Sequence, residues 1–293
     1  MQKSKLGPQG AFWRRLAYAG ARYGPRVWVQ YSPPLFGMAF YLALRQERRR
    51  VRRNLRAVLG ARSSVLEQLD VLRTFTAYAS CLAEGLGAER LDGARARHRM
   101  VGKENFQIAM NQGRGLIITT CHTGPWDAAG RVLSQMVGSD RVLIAMRPEP
   151  DERARRLHDS VRHRLGVRVA HVGEHPLDGL PLLHHLRAGR GILAVQLDRI
   201  PPGTKSLEVT LFGEPFRVPK GPFLLAALAG APLLPLFARR TGYYDYEFYA
   251  GPAIELAERP DQSQLYRAAQ LLAAEMERFI RANPTQWFRF GPD

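Results

Sequence analysis

The sequence predicts an α/β fold in which helices flank a central mixed β-sheet, preceded by a helical N-terminal extension. From Gly113 onward, short apolar runs alternate with helical patterns, which is typical of an α/β domain. The first hundred residues are mainly helical in pattern. A composition of 45% apolar and 24% charged residues in a chain of 293 provides a sizeable core and excludes a disordered or collagen-like chain.

The individual elements follow from the positions of these runs. The first long helix is predicted at Val65–Leu86. Seven apolar runs are predicted as strands: Leu116–Cys121, Arg141–Met146, Val167–Val172, Gly191–Leu197, Leu207–Phe212, Leu233–Phe237 and Tyr243–Tyr249. Five helices are predicted between and after them: Pro125–Met136, Glu152–Leu165, Leu177–Leu186, Gly221–Ala229 and Gln264–Ala282. The last is the clearest, because its apolar residues recur at the helical period.

The positive charge is concentrated at the start of the chain. Residues 1–62 contain fourteen Lys and Arg and a single acid, Glu47, whereas the other 231 residues carry only +4 of the net +17. Such an excess indicates an anionic partner, which could be nucleic acid, anionic lipid or an acidic carrier protein. The basic surface is therefore an N-terminal feature attached to a nearly neutral body.

The same region contains an apolar and aromatic run, Val27-Trp28-Val29 and then Leu35 to Leu44. A spanning helix needs about 20 consecutive apolar residues, and Pro33 and Pro34 interrupt this run, which also argues against a cleavable signal peptide. We expect residues 1–58 to be a membrane-associating segment in the headgroup region of an anionic leaflet, followed by an α/β domain at 59–293. The alternative is a core helix with solvated arginines on its outer face.

Several common chemistries lack their motifs. There is no Gly-x-Ser-x-Gly elbow, no Walker loop and no Gly-x-Gly-x-x-Gly after a strand, so hydrolase, NTPase and dinucleotide interpretations lose their main support. Two cysteines are too few for a disulfide framework or a four-thiolate zinc site, and they suit a reducing compartment. The histidine spacings do not fit a metal site either, so no metal is expected.

The stretch from Gly113 to Asp127 is the one that indicates chemistry. A strand ends at His122, a tight turn follows at Thr123-Gly124, and a helix begins near Pro125, so His122 and Asp127 can meet across the turn. A histidine oriented by a carboxylate is suited to general-base catalysis, and since no nucleophile accompanies it, the base would act on a substrate hydroxyl. Backbone amides near Gly124 could supply an oxyanion site. The alternative is an ordinary histidine beside a helix-capping aspartate.

The pattern Gly-x-Gly, an apolar strand, then His-x-Gly-x-Trp-acid resembles the lysophospholipid acyltransferase superfamily, in particular its bacterial lipid A lauroyl/myristoyl acyltransferase branch. The resemblance runs from about Ser32 to the end of the chain. Further blocks follow in the order found in the family: Arg53-Asn54-Leu55, Glu84, Arg147-Pro148, Arg162-x-x-x-Gly166, Asp198, Phe212-Gly213, Pro219-Lys220-Gly221, Gly230-Ala231-Pro232 with Pro235 and Arg239, and Asn283 to Phe288.

This resemblance implies a glycerolipid acyltransferase-like fold and an O-acyltransferase of lipid biosynthesis, of the lipid A type. The enzyme would move a fatty acyl chain from an acyl carrier protein or coenzyme A thioester to a hydroxyl of a lipid or glycolipid. His122 would be the base and Asp127 its orienting acid in an HX4D motif, with no metal or other cofactor. It would be a peripheral or monotopic protein at the cytoplasmic face of the bacterial inner membrane. Asp127 stands where the branch usually has Glu, which leaves the acceptor open.

Four basic residues, Arg147, Arg162, Lys205 and Arg239, follow predicted strands or occupy family-like positions. They are candidates for binding a phosphate of the acceptor or donor, and arginine's planar donors suit that task; otherwise they are solvated surface cations.

Two other functions stay open. One is nucleic-acid binding through the basic N-terminus, although no recognition motif supports it and no nucleic acid is expected. The other is a non-catalytic, acyl-binding relative.

Overall fold

The structure, a computed structural model, describes residues 11–88, 96–148, 151–173, 175, 177–200 and 203–291. Within these residues there are nine strands, seven in a central sheet and two in a separate hairpin. They are β1 (Arg97–Val101), β2 (Leu116–Thr120), β3 (Val142–Met146), β4 (Arg168–His171), β5 (Ile192–Gln196), β6 (Ser206–Leu211), β7 (Glu214–Pro219), β8 (Leu233–Gly242) and β9 (Asp245–Ala250).

Helices account for most of the N-terminal third and for the connections between the parallel strands. They are α1 (Ala11–Tyr23), α2 (Arg26–Tyr31), α3 (Pro33–Ala43), α4 (Arg45–Leu59), α5 (Ser64–Leu86), α6 (Lys103–Asn111), α7 (Trp126–Val137), α8 (Glu152–Arg164), α9 (Gly179–Arg187), α10 (Gly221–Ala229) and α11 (Gln262–Ala282). A short 3-10 turn, Pro284–Gln286, follows α11 and leads into the C-terminal tail.

The central sheet has the strand order β1-β9-β8-β2-β5-β3-β4. The five strands from β8 to β4 are parallel to one another, β9 is antiparallel to β8, and β1 is parallel to β9. The sheet is therefore mixed, as the sequence predicts. Because the carboxyl ends of the five parallel strands lie at one edge, the residues that follow them come together there.

Both faces of the sheet are covered by helices, and strand alternation assigns side chains to them. Ile117 of β2 joins a core with α9, α10, α11 and the β6–β7 hairpin, whereas Leu116 and Ile118 pack on the other face against α6 and α7. A third, smaller core joins α4 to α5 through Val51 and Phe75. The predicted α/β class is thereby confirmed.

The N-terminal helices differ in which side chains they bury. Helices α3 and α4 pack on α5, but α2 and α3 also expose a set of apolar and aromatic side chains: Val27, Trp28, Tyr31, Leu35, Phe36, Met38 and Leu42. Among the described residues, no helix combines the length and the hydropathy needed to cross a bilayer. The predicted division at residue 58 falls within α4 and stays a prediction.

The helices α1 to α4 are expected from the sequence only as a mainly helical region without bounds, and beyond them the sequence prediction lacks β1, α6 and β7. β1 reads Arg97-His98-Arg99-Met100-Val101 and is an edge strand with exposed side chains, so it carries no apolar run. β7 contains Pro215 and Pro219, which argue against a strand in sequence but are tolerated in a two-stranded hairpin. In α6 only two side chains are buried, too few to show a helical period.

Candidate active site

The site lies at the carboxyl edge of the parallel strands, where His122 follows β2 and Asp198 follows β5. These strands are paired in parallel with Thr120 opposite Gln196. Two residues beyond each partner, the chain reaches His122 and Asp198, so the register of the sheet places the two residues side by side. A separation of 76 residues in sequence becomes a direct contact.

The imidazole of His122 is held by the Asp198 carboxylate. Nδ1 of His122 lies 2.7 Å from Oδ1 of Asp198, and the backbone N–H of His122 donates to Oδ2 at 3.1 Å. A third donor, the indole Nε1–H of Trp287, reaches the same Oδ2 at 3.0 Å. The His122 side chain is 14% exposed and Asp198 is fully buried. The buried carboxylate therefore fixes the orientation of the ring, while a small part of the ring stays accessible to solvent.

The surroundings of Asp198 keep it ionised. Burial opposes the charged form, but the electrostatic attraction and the two hydrogen bonds from His122, together with the nearby Arg199, outweigh burial and lower the pKa of Asp198. An ionised carboxylate at Nδ1 fixes the tautomer with the proton on Nδ1 and leaves the lone pair on Nε2. Among the described residues, none hydrogen bonds to Nε2. The arrangement can therefore take a proton from a bound hydroxyl.

Cys121, which precedes His122, does not provide a nucleophile. Burial raises the pKa of the Cys121 thiol, and the negative charge of Asp198 raises it further. The thiolate, not the thiol, is the nucleophile of cysteine chemistry. The side chain that can accept a proton at this edge is accordingly the imidazole.

Asp127 lies in the first turn of α7, as the sequence predicts, but its side chain is outside the described part of the structure. The place at Nδ1 that the sequence analysis gives to Asp127 is occupied by Asp198. The pairing of His122 with Asp127 itself stays a prediction. The helix begins at Trp126, with Pro125 as its N-cap.

The C-terminal tail closes the turn that carries His122. The amide of Phe288 donates to the carbonyl of His122 at 2.7 Å, and the amide of Gly124 donates to the carbonyl of Gln286 at 3.0 Å. The Gly124 N–H is therefore used to hold the tail and does not form the predicted oxyanion site. The suggestion that other backbone amides at the helix start near Gly124 form it stays a prediction. The tail thus packs against the turn that carries His122.

A cluster of aromatic side chains lies next to the imidazole of His122. The ring of Trp126 lies 6.0 Å from that of His122 and is stacked with Tyr78, and both Trp126 and Tyr78 contact Phe288. The half-buried Tyr78 and Trp126 are contributed by α5 and α7, and Phe288 by the tail. An apolar surface beside a proton acceptor suits a substrate that has a hydrocarbon chain next to its reacting group.

Of the four basic candidates, Arg239 lies beside the His122 turn, since its Cα is the close neighbour of Gly124. Its guanidinium pairs with Glu247 at 2.6 Å and donates to Asn283 at 3.2 Å. Arg147 directly follows β3 and is exposed, at the same sheet edge. Arg162 lies on α8 near Asp159, and Lys205 is exposed before β6. Their predicted role in binding a phosphate is not tested by these contacts.

Several residues of the sequence blocks hold the tail and α5 in place rather than contact His122. The amide of Asn54 on α4 donates to the carbonyl of Arg289 at 2.8 Å. The buried carboxyl of Glu84 on α5 accepts from Arg240 at 2.7 Å and from Tyr246 at 2.9 Å. Burial raises the pKa of Glu84 even though Arg240 opposes the shift. These residues join α4 to the tail and α5 to the central sheet.

Sequence reasoning gives Asp198 no catalytic role, and the structure places it in contact with His122. One signal was present, because Asp198 directly follows the predicted strand Gly191–Leu197 just as His122 follows its own strand. A position directly after a parallel strand places Asp198 at the carboxyl edge of the sheet, but it does not show that its strand is the neighbour of the strand before His122. Trp287 gives no comparable signal, since a tryptophan near a chain terminus has no defined place in the sheet.

Comparison with known proteins finds related sequences over most of the chain. A family model described as bacterial lipid A biosynthesis acyltransferase matches residues 20–292. A phosphatidylinositol mannoside acyltransferase of Mycobacterium tuberculosis is 29% identical over 87% of this chain and 79% of its own length. A lipid A biosynthesis acyltransferase of Haemophilus influenzae is 26% identical over 65% of this chain and 57% of its own length.

One solved structure is similar at low identity. It is the 1-acyl-sn-glycerophosphate acyltransferase PlsC of Thermotoga maritima, with 12% sequence identity and a TM-score of 0.40 over 76% of this chain and 90% of that chain.

Proposed function

Because the chain belongs to the bacterial lipid A biosynthesis acyltransferase family, we propose that it transfers a fatty acyl chain from a thioester donor to a glycolipid hydroxyl, with His122 as the general base. It is an acyltransferase that acts on a lipid or glycolipid acceptor. The observation that supports this base is the 2.7 Å contact between Nδ1 of His122 and the buried Asp198, which leaves Nε2 to accept a proton.

The reaction follows from this arrangement. Nε2 takes the proton of the acceptor hydroxyl as the hydroxyl oxygen attacks the thioester carbonyl carbon, and the carbonyl electron pair moves onto its oxygen. When the tetrahedral intermediate collapses, the C–S bond breaks and the departing thiolate takes the proton from Nε2. Between these steps the imidazolium is stabilised by the ionised Asp198. The product is an ester, and the free thiol leaves with the donor.

The substrate class is proposed from the relatives and from the charges at the site. The reported Mycobacterium tuberculosis relative is named for a phosphatidylinositol mannoside and the Haemophilus influenzae relative for lipid A, so a glycolipid is the acceptor proposed here. Arg147 and Arg239 lie at the same edge of the sheet as His122. We propose that they contact phosphate groups of the acceptor or donor. The donor is a thioester of either acyl carrier protein or coenzyme A.

The proposed chemistry is tested by three substitutions of the site. Palmitoyl-CoA and palmitoyl-acyl carrier protein are supplied as donors, with phosphatidylinositol mannoside and a lipid A precursor as acceptors, and acylated lipid is measured by mass spectrometry. His122→Ala should abolish transfer. Asp198→Asn should lower kcat by about two to four orders of magnitude, because the neutral amide no longer fixes the tautomer or stabilises the imidazolium.

The control is Asp140→Asn, an exposed aspartate that precedes β3 at the opposite edge of the sheet, which should keep full activity. Circular dichroism establishes that each variant is folded. A folded, active His122→Ala variant would overturn the proposed mechanism. If Asp127→Asn lowers kcat more than Asp198→Asn does, the orienting role passes from Asp198 to Asp127.

We further propose that the protein binds the cytoplasmic surface of the inner membrane through the exposed side chains of α2 and α3. These helices expose Trp28, Tyr31 and Phe36, aromatic residues that favour the headgroup region. The next helix, α4, contains seven arginines, of which Arg45, Arg49 and others face solvent. Cations near an anionic leaflet add about 1 kcal/mol each. The family membership favours lipid over nucleic acid as the anionic partner.

A further inference from the structure

The tail residue Trp287 is buried at the back of the candidate site. Its side chain is 5% exposed, its ring is 5.7 Å from that of Phe212, and its backbone pairs with Thr123 in the turn that carries His122. A buried indole N–H needs an acceptor, because leaving it unbonded costs the free energy of its lost hydration. The acceptor that it finds is Oδ2 of Asp198, at 3.0 Å.

This hydrogen bond has two effects on the Asp198 carboxylate. Oδ2 accepts from the Trp287 indole and from the backbone N–H of His122, so rotation about the carboxylate bond is restricted and Oδ1 stays directed at Nδ1. The indole also withdraws negative charge from the carboxylate, which weakens its attraction for an imidazolium. Trp287 therefore influences both the direction and the basicity of the group that holds His122.

We propose that Trp287 is a positioning residue for acyl transfer, which orients Asp198 and, through it, sets the pH at which His122 can accept a proton. The proposal rests on the function proposed above for His122. It assigns a chemical role to a buried aromatic residue 89 positions from Asp198, in a tail that otherwise serves to close the site.

The other charged and titratable groups near this pair do not replace the indole. Arg199 follows Asp198 and donates instead to the carbonyl of Phe288 at 3.0 Å. The Cys121 thiol is buried, and the Arg289 guanidinium lies over the Trp287 ring rather than against the carboxylate. Arg239 is paired with Glu247. The side chain of Asp127 is outside the described part.

The test is Trp287→Phe, which keeps an aromatic ring and removes the N–H donor. With a more basic carboxylate the imidazolium is stabilised, so the acid limb of the kcat/KM profile should move to higher pH by about 0.5–1 unit. Above that limb, kcat should fall while KM stays the same, since the acceptor does not contact the buried indole. An unshifted acid limb would overturn the proposal.

An NMR measurement that does not depend on turnover tests the role of Trp287 separately from the proposed function. In protein labelled with 13C-histidine, the His122 ring signal is identified by its absence in His122→Ala, and its titration midpoint should move to higher pH in Trp287→Phe. Asn54→Ala is the matched control, because it loosens the same tail at Arg289 without touching Asp198. If Asn54→Ala moves the midpoint equally, the effect belongs to the tail and not to the indole.

A third measurement covers the case in which Trp287→Phe does not fold. Each of the four tryptophans carries one indole proton, and the Trp287 proton should resonate far downfield and exchange slowly with solvent in the unmodified protein. In Asp198→Asn the acceptor becomes a neutral amide oxygen, so this signal should move upfield. An indole signal that Asp198→Asn leaves in place would contradict the hydrogen bond, and with it the proposal.

Discussion

At the scale of single residues, Gly124 determines how closely the turn carrying His122 approaches β8. Its φ is +52°, in the left-handed region that favours glycine. A Cβ at this position would lie 2.3 Å from the carbonyl oxygen of Ala238 and 2.8 Å from the Cα of Arg239, both backbone atoms that cannot turn aside. The residue type is therefore set by steric contact, and the position of His122 depends on it.

Gly124→Ala should move the His122 turn away from β8. We expect destabilisation by about 2 kcal/mol or more, from the unfavourable φ and the backbone contact together. Acyl transfer should fall as well, because His122 no longer lies opposite Asp198. Urea unfolding and the transfer assay measure both effects. Gly221→Ala is the control, since a Cβ there meets no atom within 4 Å; equal behaviour of the two variants would contradict the steric argument.

At the scale of elements, α4 and α5 are joined by a buried acid and two arginines as well as by apolar contacts. Glu67 of α5 accepts from Arg56 and Arg52 of α4, both at 2.6 Å, and its side chain is only 5% exposed. The hydrogen bonds from Arg56 and Arg52 hold the pKa of Glu67 at about 2, against the opposing effect of burial. This group connects the basic helix to the α/β body.

The lowered pKa of Glu67 predicts a pH dependence of stability. The folded protein binds the proton more weakly than the unfolded chain, so the contribution is present above about pH 4.5 and is lost as the pH falls towards 2. Glu67→Gln should therefore lower stability at neutral pH and flatten the dependence between these values. Urea midpoints across this range measure the slope. Replacing the exposed acid of β6 in Glu208→Gln should leave the pH dependence of the urea midpoint as in the wild type. If Glu67→Gln also keeps the wild-type pH dependence, Glu67 is not its source.

At the scale of the whole molecule, an exposed apolar surface on α2 and α3 is followed by the arginines of α4, and the candidate site lies in the α/β body. The C-terminal tail connects these parts, because Asn54 of α4 holds Arg289 while Phe288 holds the His122 turn. An enzyme that acts on membrane lipids gains from a surface that places it on the bilayer. The proposed membrane contact would serve that need.

The membrane proposal predicts a specific loss of vesicle binding. Leu35 and Leu42, on α3, are 58% and 67% exposed. Replacing both with Ser should weaken binding to phosphatidylglycerol vesicles by about tenfold or more, because two apolar side chains no longer enter the interface. Co-sedimentation measures the bound fraction. The matched double variant, Leu180→Ser with Leu228→Ser, changes leucines of α9 and α10 that are more than half exposed and lie outside the proposed surface, and it should bind normally. Equal loss in both would contradict the assigned surface.

The local elements around the site follow from the sequence because their causes are local. The predicted strand Leu116–Cys121 appears as β2, Leu116–Thr120. The turn at Gly124 requires a glycine, and α10 and the end of α11 lie where their patterns predict. The same reasoning identifies His122 as the candidate base. It does not find β1 and β7, whose formation depends on a neighbouring strand rather than on an apolar pattern of their own.

The partners of His122 are decided by tertiary structure alone. Asp198 reaches it through the register of β2 with β5, and Trp287 reaches Asp198 because α11 and the 3-10 turn return the tail to the same sheet edge. Periodicity and spacing describe neighbours within a few residues, whereas strand pairing joins segments of any separation. The sequence by itself thus determined the fold class and the candidate base, and the folded sheet decided which carboxylate lies against that histidine.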